Sequence, residues 1–125
     1  SQHLFFDLFV KVMRAAYTAN PIELMNVSDE ASGLDKENQK NFVKYGLHIF
    51  RESIILNYMK GELGNLRAEE RDFLNKFARF INNQNITELM TEFNEAHYHL
   101  ERNANAKILF ADLVIKLTKL IKKGV

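Results

Sequence analysis

The chain has no cysteine, which excludes a disulfide framework and thiolate metal sites and fits a cytoplasmic protein. It has one proline and five scattered glycines. The glycines never reach the spacing of a P-loop or of a dinucleotide-binding turn, so neither route to a bound nucleotide is open. No segment alternates polar and apolar residues between turn signals as a strand does. No apolar run approaches the ~20 residues that a bilayer-spanning helix needs. The stretch from Leu4 to Val12 is apolar, but Asp7 and Lys11 interrupt it. It also lacks the basic lead and small-residue cleavage site of a secretory signal. Charge of one sign is absent too: 17 Lys and Arg stand against 16 Asp and Glu. The chain is not the strongly basic body expected of a dedicated nucleic-acid binder.

What is present is helical periodicity. The 125 residues are one domain's worth, and a domain of this size buries roughly two-thirds of its unfolded surface without needing staples. With 46% hydrophobic and 26% charged residues the composition is globular rather than disordered. The chain opens Ser1-Gln2-His3 rather than with Met. We read residues 1–125 as a single helical domain cut from a longer protein.

The period of the apolar residues predicts an all-α bundle of five to six helices. The first runs from about His3 to Thr18, with Asp7, Lys11 and Arg14 as a narrow polar stripe on an otherwise apolar cylinder, so it is covered on most sides. Asn20-Pro21-Ile22-Glu23 is a strong helix start, with Asn20 as cap, Pro21 at the first helical position and Glu23 placed for a capping box. Gly33 is expected to end that helix in a left-handed conformation. Asp35 caps a long third helix reaching Tyr58 or Met59. Gly46 inside it costs about 1 kcal/mol relative to Ala and points to a close helix crossing. Gly61 to Gly64 is the loosest stretch. A helix from about Ala68 to Ile81 follows. Asn85 and Glu88 have capping-box spacing and open a fifth helix to about Arg102. Asn105 caps the last, which ends in Lys119, Lys122 and Lys123, cations suited to its negative terminus.

The chemistry-bearing residues form no recognisable catalytic set. A carboxylate-bridged di-metal site in a bundle needs Glu-x-x-His on two helices, but Glu95 is followed three residues on by Tyr98. Glu95 and His99, and His48 and Glu52, are four apart, and neither pair is repeated as such a site requires. His97 lies on the apolar stripe of the fifth helix and reads as a core histidine. Ser28-Asp29-Glu30 and the lone threonines offer no nucleophile, base and orienting group together. No metal, cofactor or small-molecule substrate is expected. Lys107, Lys116, Lys119, Lys122 and Lys123 bias the last helix to positive charge. They read as a solvated face, and any DNA contact is expected to be weak and indirect. The competing reading is a nucleic-acid-binding domain using this helix, although no aromatics interleave with the lysines as a single-strand groove requires.

The stretch Glu101-Arg102-Asn103-Ala104-Asn105-Ala106-Lys107-Ile108-Leu109-Phe110-Ala111-Asp112-Leu113-Val114-Ile115-Lys116-Leu117 resembles the end of bacterial DNA polymerase III clamp-loader subunits of the delta-prime type. The family shows a helix, a polar break with asparagine, then a last helix with Asp-Leu. Asn105, Asp112, Leu113 and Leu117 match it in type and spacing. The opening, Phe9-Val10 to Ala16 and then Asn20-Pro21-Ile22-Glu23-Leu24, is similar to the start of that family's collar domain. Ala96-His97-Tyr98-His99-Leu100-Glu101-Arg102-Asn103 looks closest to versions from Bacteroidetes-type bacteria. The delta and gamma/tau subunits carry related domains. The resemblance implies a collar domain whose parent carries an AAA+ module outside this sequence. It implies no ATP hydrolysis or polymerisation by this domain, and a hetero-oligomeric ring with other clamp-loader subunits as its partners during DNA replication.

An almost wholly apolar first helix and a very apolar last helix hold more hydrophobic surface than a small core readily hides, and such surplus marks partner surfaces. Phe5, Phe9, Val114 and Ile115, on the outer sides of those two helices, are the expected contact face.

Overall fold

The structure, a computed structural model, describes residues 2–59 and 63–125. The described residues form a helical bundle without strands: α1 (Gln2–Thr18), α2 (Pro21–Ser32), α3 (Lys36–Ile54) continued by a π-turn (Ile55–Met59), α4 (Ala68–Phe77) continued by a 3-10 turn (Ala78–Phe80), α5 (Ile86–Glu101) and α6 (Ala106–Lys123). Part of the loose stretch beginning at Gly61 lies outside the described residues. Among the described residues no helix is long and apolar enough to cross a membrane.

Three helix starts are set by the local sequence. The Glu23 N–H donates to Asn20 Oδ1 at 3.1 Å, the Asn38 N–H to Asp35 Oδ1 at 2.8 Å, and the Ile108 N–H to Asn105 Oδ1 at 3.1 Å. Each satisfies an amide that the helix leaves without an internal partner.

The helix ends depart from expectation. Gly33 has φ −80° and ends α2 in the right-handed region. Among the described residues the left-handed ones are Ala19 (φ 57°) and Asn103 (φ 64°). Asn103 closes α5 with paired bonds, its N–H reaching Leu100 O and the Ala104 N–H reaching His99 O, the Schellman arrangement. Asn tolerates this backbone well; Ala19 does so against the steric preference of its Cβ.

Asn85 is also used differently from its motif. It makes no side-chain cap for α5. It is buried instead, its Nδ2 donating to Phe80 O at 2.7 Å and Leu120 O at 2.9 Å, while its Oδ1 accepts from the Asn82 N–H at 3.0 Å. Asn82 Nδ2 donates in turn to Gly124 O at 2.9 Å. Gly124 fits there because it has no side chain: a Cβ would meet Phe80 O at 2.1 Å. The turn before α5 is thereby tied to the end of α6.

The core is centred on Phe9, which is fully buried, with the rings of Tyr45, Phe50, Phe73 and Phe77 around it at centroid separations of 5.8–6.1 Å. All four pairs are edge-on, the geometry that aromatic quadrupoles favour. Helix α3 crosses α5 at Gly46, where Phe93 occupies the space of the missing side chain. The close crossing expected from that glycine is present. Helix α1 packs against α2, α3 and α6, which is why only a narrow stripe of it, including Asp7, Lys11 and Arg14, reaches solvent.

Candidate functional site

Of the four residues expected to face a partner, three belong to the core. Phe5, Phe9 and Val114 are buried within the chain's own bundle. The surplus of apolar positions on α1 is absorbed by helices on three sides and by the aromatic rings of α4, so no outer apolar side remains at Phe5 and Phe9. Only Ile115, 56% exposed, stands on the surface.

Ile115 is part of a larger apolar surface shared with α2. Helix α2 packs along α6, turning Val27, Ser28 and Ala31 inward. Ile22 and Met25, on its other side, are left 66% and 61% exposed. On α6, Phe110, Leu113, Val114 and Leu117 are buried, whereas Ile108 is 70% exposed. Between the two helices runs a groove of about 510 Å³, with Leu24 and Ala111 in its lining and Met25, Ile108 and Ile115 beside them. Asp29 from α2 and Lys107 from α6 are its charged members. Three large exposed aliphatic side chains lining one groove, Met25, Ile108 and Ile115, differ from the isolated exposed residues that any surface carries.

The residues carrying the family resemblance have separable structural roles. Asn105 caps α6. Asp112 binds Lys116 at 2.8 Å. Leu113 and Leu117 are buried. Lys116 also reaches Glu92 of α5 at 3.2 Å. Hydrogen bonding to Asp112, then to Glu92, raises its pKa above the ordinary lysine value.

These pairings divide the lysine-rich helix. Lys116 and Lys123 turn to carboxylates on α5, at Glu92 and Glu88, while Lys107 lines the groove with α2. Lys107, Lys116 and Lys123 therefore have different surroundings, while Lys119 and Lys122 stand exposed.

The histidines and acids show no catalytic juxtaposition among the described residues. His97 is half-buried, its Nδ1 3.5 Å from Glu101 Oε1, so it sits at the rim rather than in the core. Glu95 and His99 line a small polar cleft of about 130 Å³ with Glu92, Asp112 and Lys116. The Lys116 ammonium lies between the Glu92 and Asp112 carboxylates. Among the described residues no group of three or more histidines and acids is arranged to hold a metal ion.

A buried polar pair that the sequence reading did not single out joins α3 to α4. The Tyr45 hydroxyl donates to Glu70 Oε2 at 2.5 Å, and Glu70 Oε1 accepts from the Arg67 N–H at 2.9 Å. Burial pushes the Glu70 carboxyl upward, but the bonds from Tyr45 and the Arg67 N–H, with the Arg67 charge, outweigh it and hold the group below the usual range. Burial, then the Glu70 hydrogen bond, push the Tyr45 hydroxyl above its ordinary value. The pair is a structural staple under α4.

Compared with protein-family models, with curated proteins and with solved structures, the chain matches none of them.

Proposed function

We propose that this chain is a non-enzymatic protein–protein assembly domain, the collar domain of a bacterial clamp-loader subunit of the delta-prime type. In this reading it holds its parent subunit in the loader ring in the cytoplasm during DNA replication. The observation that carries the reading is the clustering of the exposed Met25, Ile108 and Ile115 along one groove between α2 and α6. The resemblance of the segment from Glu101 to Leu117 supplies the kind of partner, a related helical domain from a sister subunit. A helix of that domain laid along the groove would cover the aliphatic side chains and meet Asp29 and Lys107 at its edges, an apolar centre with a polar rim. Met25, Ile108 and Ile115 replace Phe5, Phe9 and Val114 as the residues that make the contact.

The test is to mix the chain with the C-terminal helical domains of the other clamp-loader subunits of the same organism and to measure mass in solution by light scattering. A complex of defined stoichiometry is expected. A chain that remains alone with every sister domain would contradict the proposal.

A further inference from the structure

A second groove lies on a different part of the surface, between α1 and α4, and its character is different. Phe73 forms part of its floor throughout, with Arg14 on the α1 side and Lys76 on the α4 side along its middle. Beyond them, the cavity of about 430 Å³ is mainly apolar and aromatic, lined by Met13, Phe77, Phe80 and the exposed Tyr17, with the Glu23 carboxylate, held by Thr18 Oγ1 at 3.2 Å, at its edge. In the other direction, a cavity of about 480 Å³ carries the carboxylates of Asp7, Glu69 and Asp72 together with Lys11, whose ammonium pairs with Glu30 of α2 at 3.3 Å, while Glu69 pairs with Arg67 at 3.1 Å. The groove is thus graded: acidic at one end, basic in the middle, apolar at the other.

Arg14 and Lys76 are both exposed, and neither lies within ion-pairing distance of a carboxylate among the described residues. Two cations facing each other across an aromatic floor repel, which an incoming carboxylate would relieve. A nucleic-acid strand fits the gradient poorly, because its phosphates would run on past Arg14 and Lys76 into three carboxylates. The Phe80 ring is also engaged, by Tyr17 at 5.5 Å and by the Arg79 guanidinium at 4.9 Å, rather than free for a base to stack on.

We propose that the α1–α4 groove docks one amphipathic helix of a partner protein. The occupant is basic where it meets Asp7 and Asp72, acidic between Arg14 and Lys76, and apolar where it meets Tyr17 and Phe80. Two parallel ridges with an apolar floor are the receptor geometry for a helix laid into a groove, and the charges set its direction. This site is independent of the α2–α6 face, and the two can be occupied together.

The experiment uses two synthetic peptides of about 16 residues, long enough to hold helical structure, with the same apolar stripe. One carries lysines at one end and glutamates at its centre; its twin has every charge reversed. Binding is followed by fluorescence anisotropy. The first peptide is expected to bind about tenfold more tightly than its twin, and Arg14→Glu/Lys76→Glu, which reverses the middle of the groove but leaves its acidic end, is expected to remove most of that difference. Tyr17→Ser, on the exposed apolar end, should weaken both peptides and leave their order intact. Absent or equal binding of the two peptides to the unsubstituted chain, or a preference that the double charge reversal leaves undiminished, would overturn the proposal. So would displacement of the peptide by a single-stranded DNA oligonucleotide, which would make the groove a nucleic-acid site.

Discussion

Phe93 lies so close to Gly46 that a Cβ built on the glycine would come within 2.4 Å of Phe93 Cε2. The same ring packs edge-on against Phe50 at 4.9 Å, so it has no room to withdraw. Two effects of opposite sign meet at this position. Replacing Gly by Ala in a helix gains about 1 kcal/mol of propensity, whereas forcing a methyl group into a filled core costs about 1–3 kcal/mol. The short distance and the full burial of Phe50 and Phe93 make the steric term the larger. Gly46→Ala is therefore expected to destabilise the fold, seen as a lower urea midpoint; a higher midpoint would show that α3 and α5 slide apart easily.

Ala19 gives the opposite expectation at a similar site. It adopts φ 57° between α1 and α2, where a Cβ is unfavourable and glycine is not. Ala19→Gly should raise stability by about 0.5–1 kcal/mol, read from thermal unfolding. A loss of stability would mean that the left-handed turn is less costly than the entropy that glycine adds to the unfolded chain.

Asn85 should be among the most sensitive polar residues. Its amide bonds to Phe80 O and Leu120 O from a buried position. Asn85→Leu leaves those carbonyls and the Asn82 N–H unpaired, at about 1–3 kcal/mol for each group that stays dry. Asn85→Asp should be no milder, because an acceptor then faces two carbonyls. If instead the residue served only as an ordinary cap for α5, Asn85→Asp would be almost neutral.

The Glu70 staple links stability to pH. Its folded pKa lies below the ordinary carboxylate value. Its contribution is therefore complete above the unfolded value of about 4.3, and it is lost as pH falls through the depressed folded value. Glu70→Gln should cost about 1.5–3 kcal/mol at neutral pH, the range for hydrogen bonds to a charged group. The difference from the unsubstituted chain should narrow in acid. A difference that stays constant from neutral pH to pH 3 would show that the charge of Glu70 contributes nothing.

How much of this could be read from the sequence depended on how far each residue reaches. Asn20, Asp35 and Asn105 cap amides three residues away, so a local pattern sufficed. Asn85 has the same local pattern, but its amide is recruited by Leu120 of α6, 35 residues along the chain. Spacing alone carries no trace of that. Periodicity also located the apolar residues of α1 without revealing that three helices and the rings of Phe73 and Phe77 enclose them. Ile115 was legible as surface, yet its groove neighbour Met25 was not, because α2 is short. Its signal was present: Met25 stands on the side of α2 away from Val27 and Ala31.

The proposed assembly role rests on the outer face of α2 and α6. Met25, Ile108 and Ile115 are exposed, so changing all three to Glu should leave the helical content and unfolding midpoint near those of the unsubstituted chain. Phe9→Glu, at a fully buried position, should unfold the chain. The decisive measurement is light scattering on the triple variant mixed with the sister clamp-loader domains, beside the unsubstituted chain in the same mixture. A defined complex is expected for the unsubstituted chain, and a folded but solitary triple variant. A triple variant that still assembles at full mass would place the contact elsewhere and contradict this expectation.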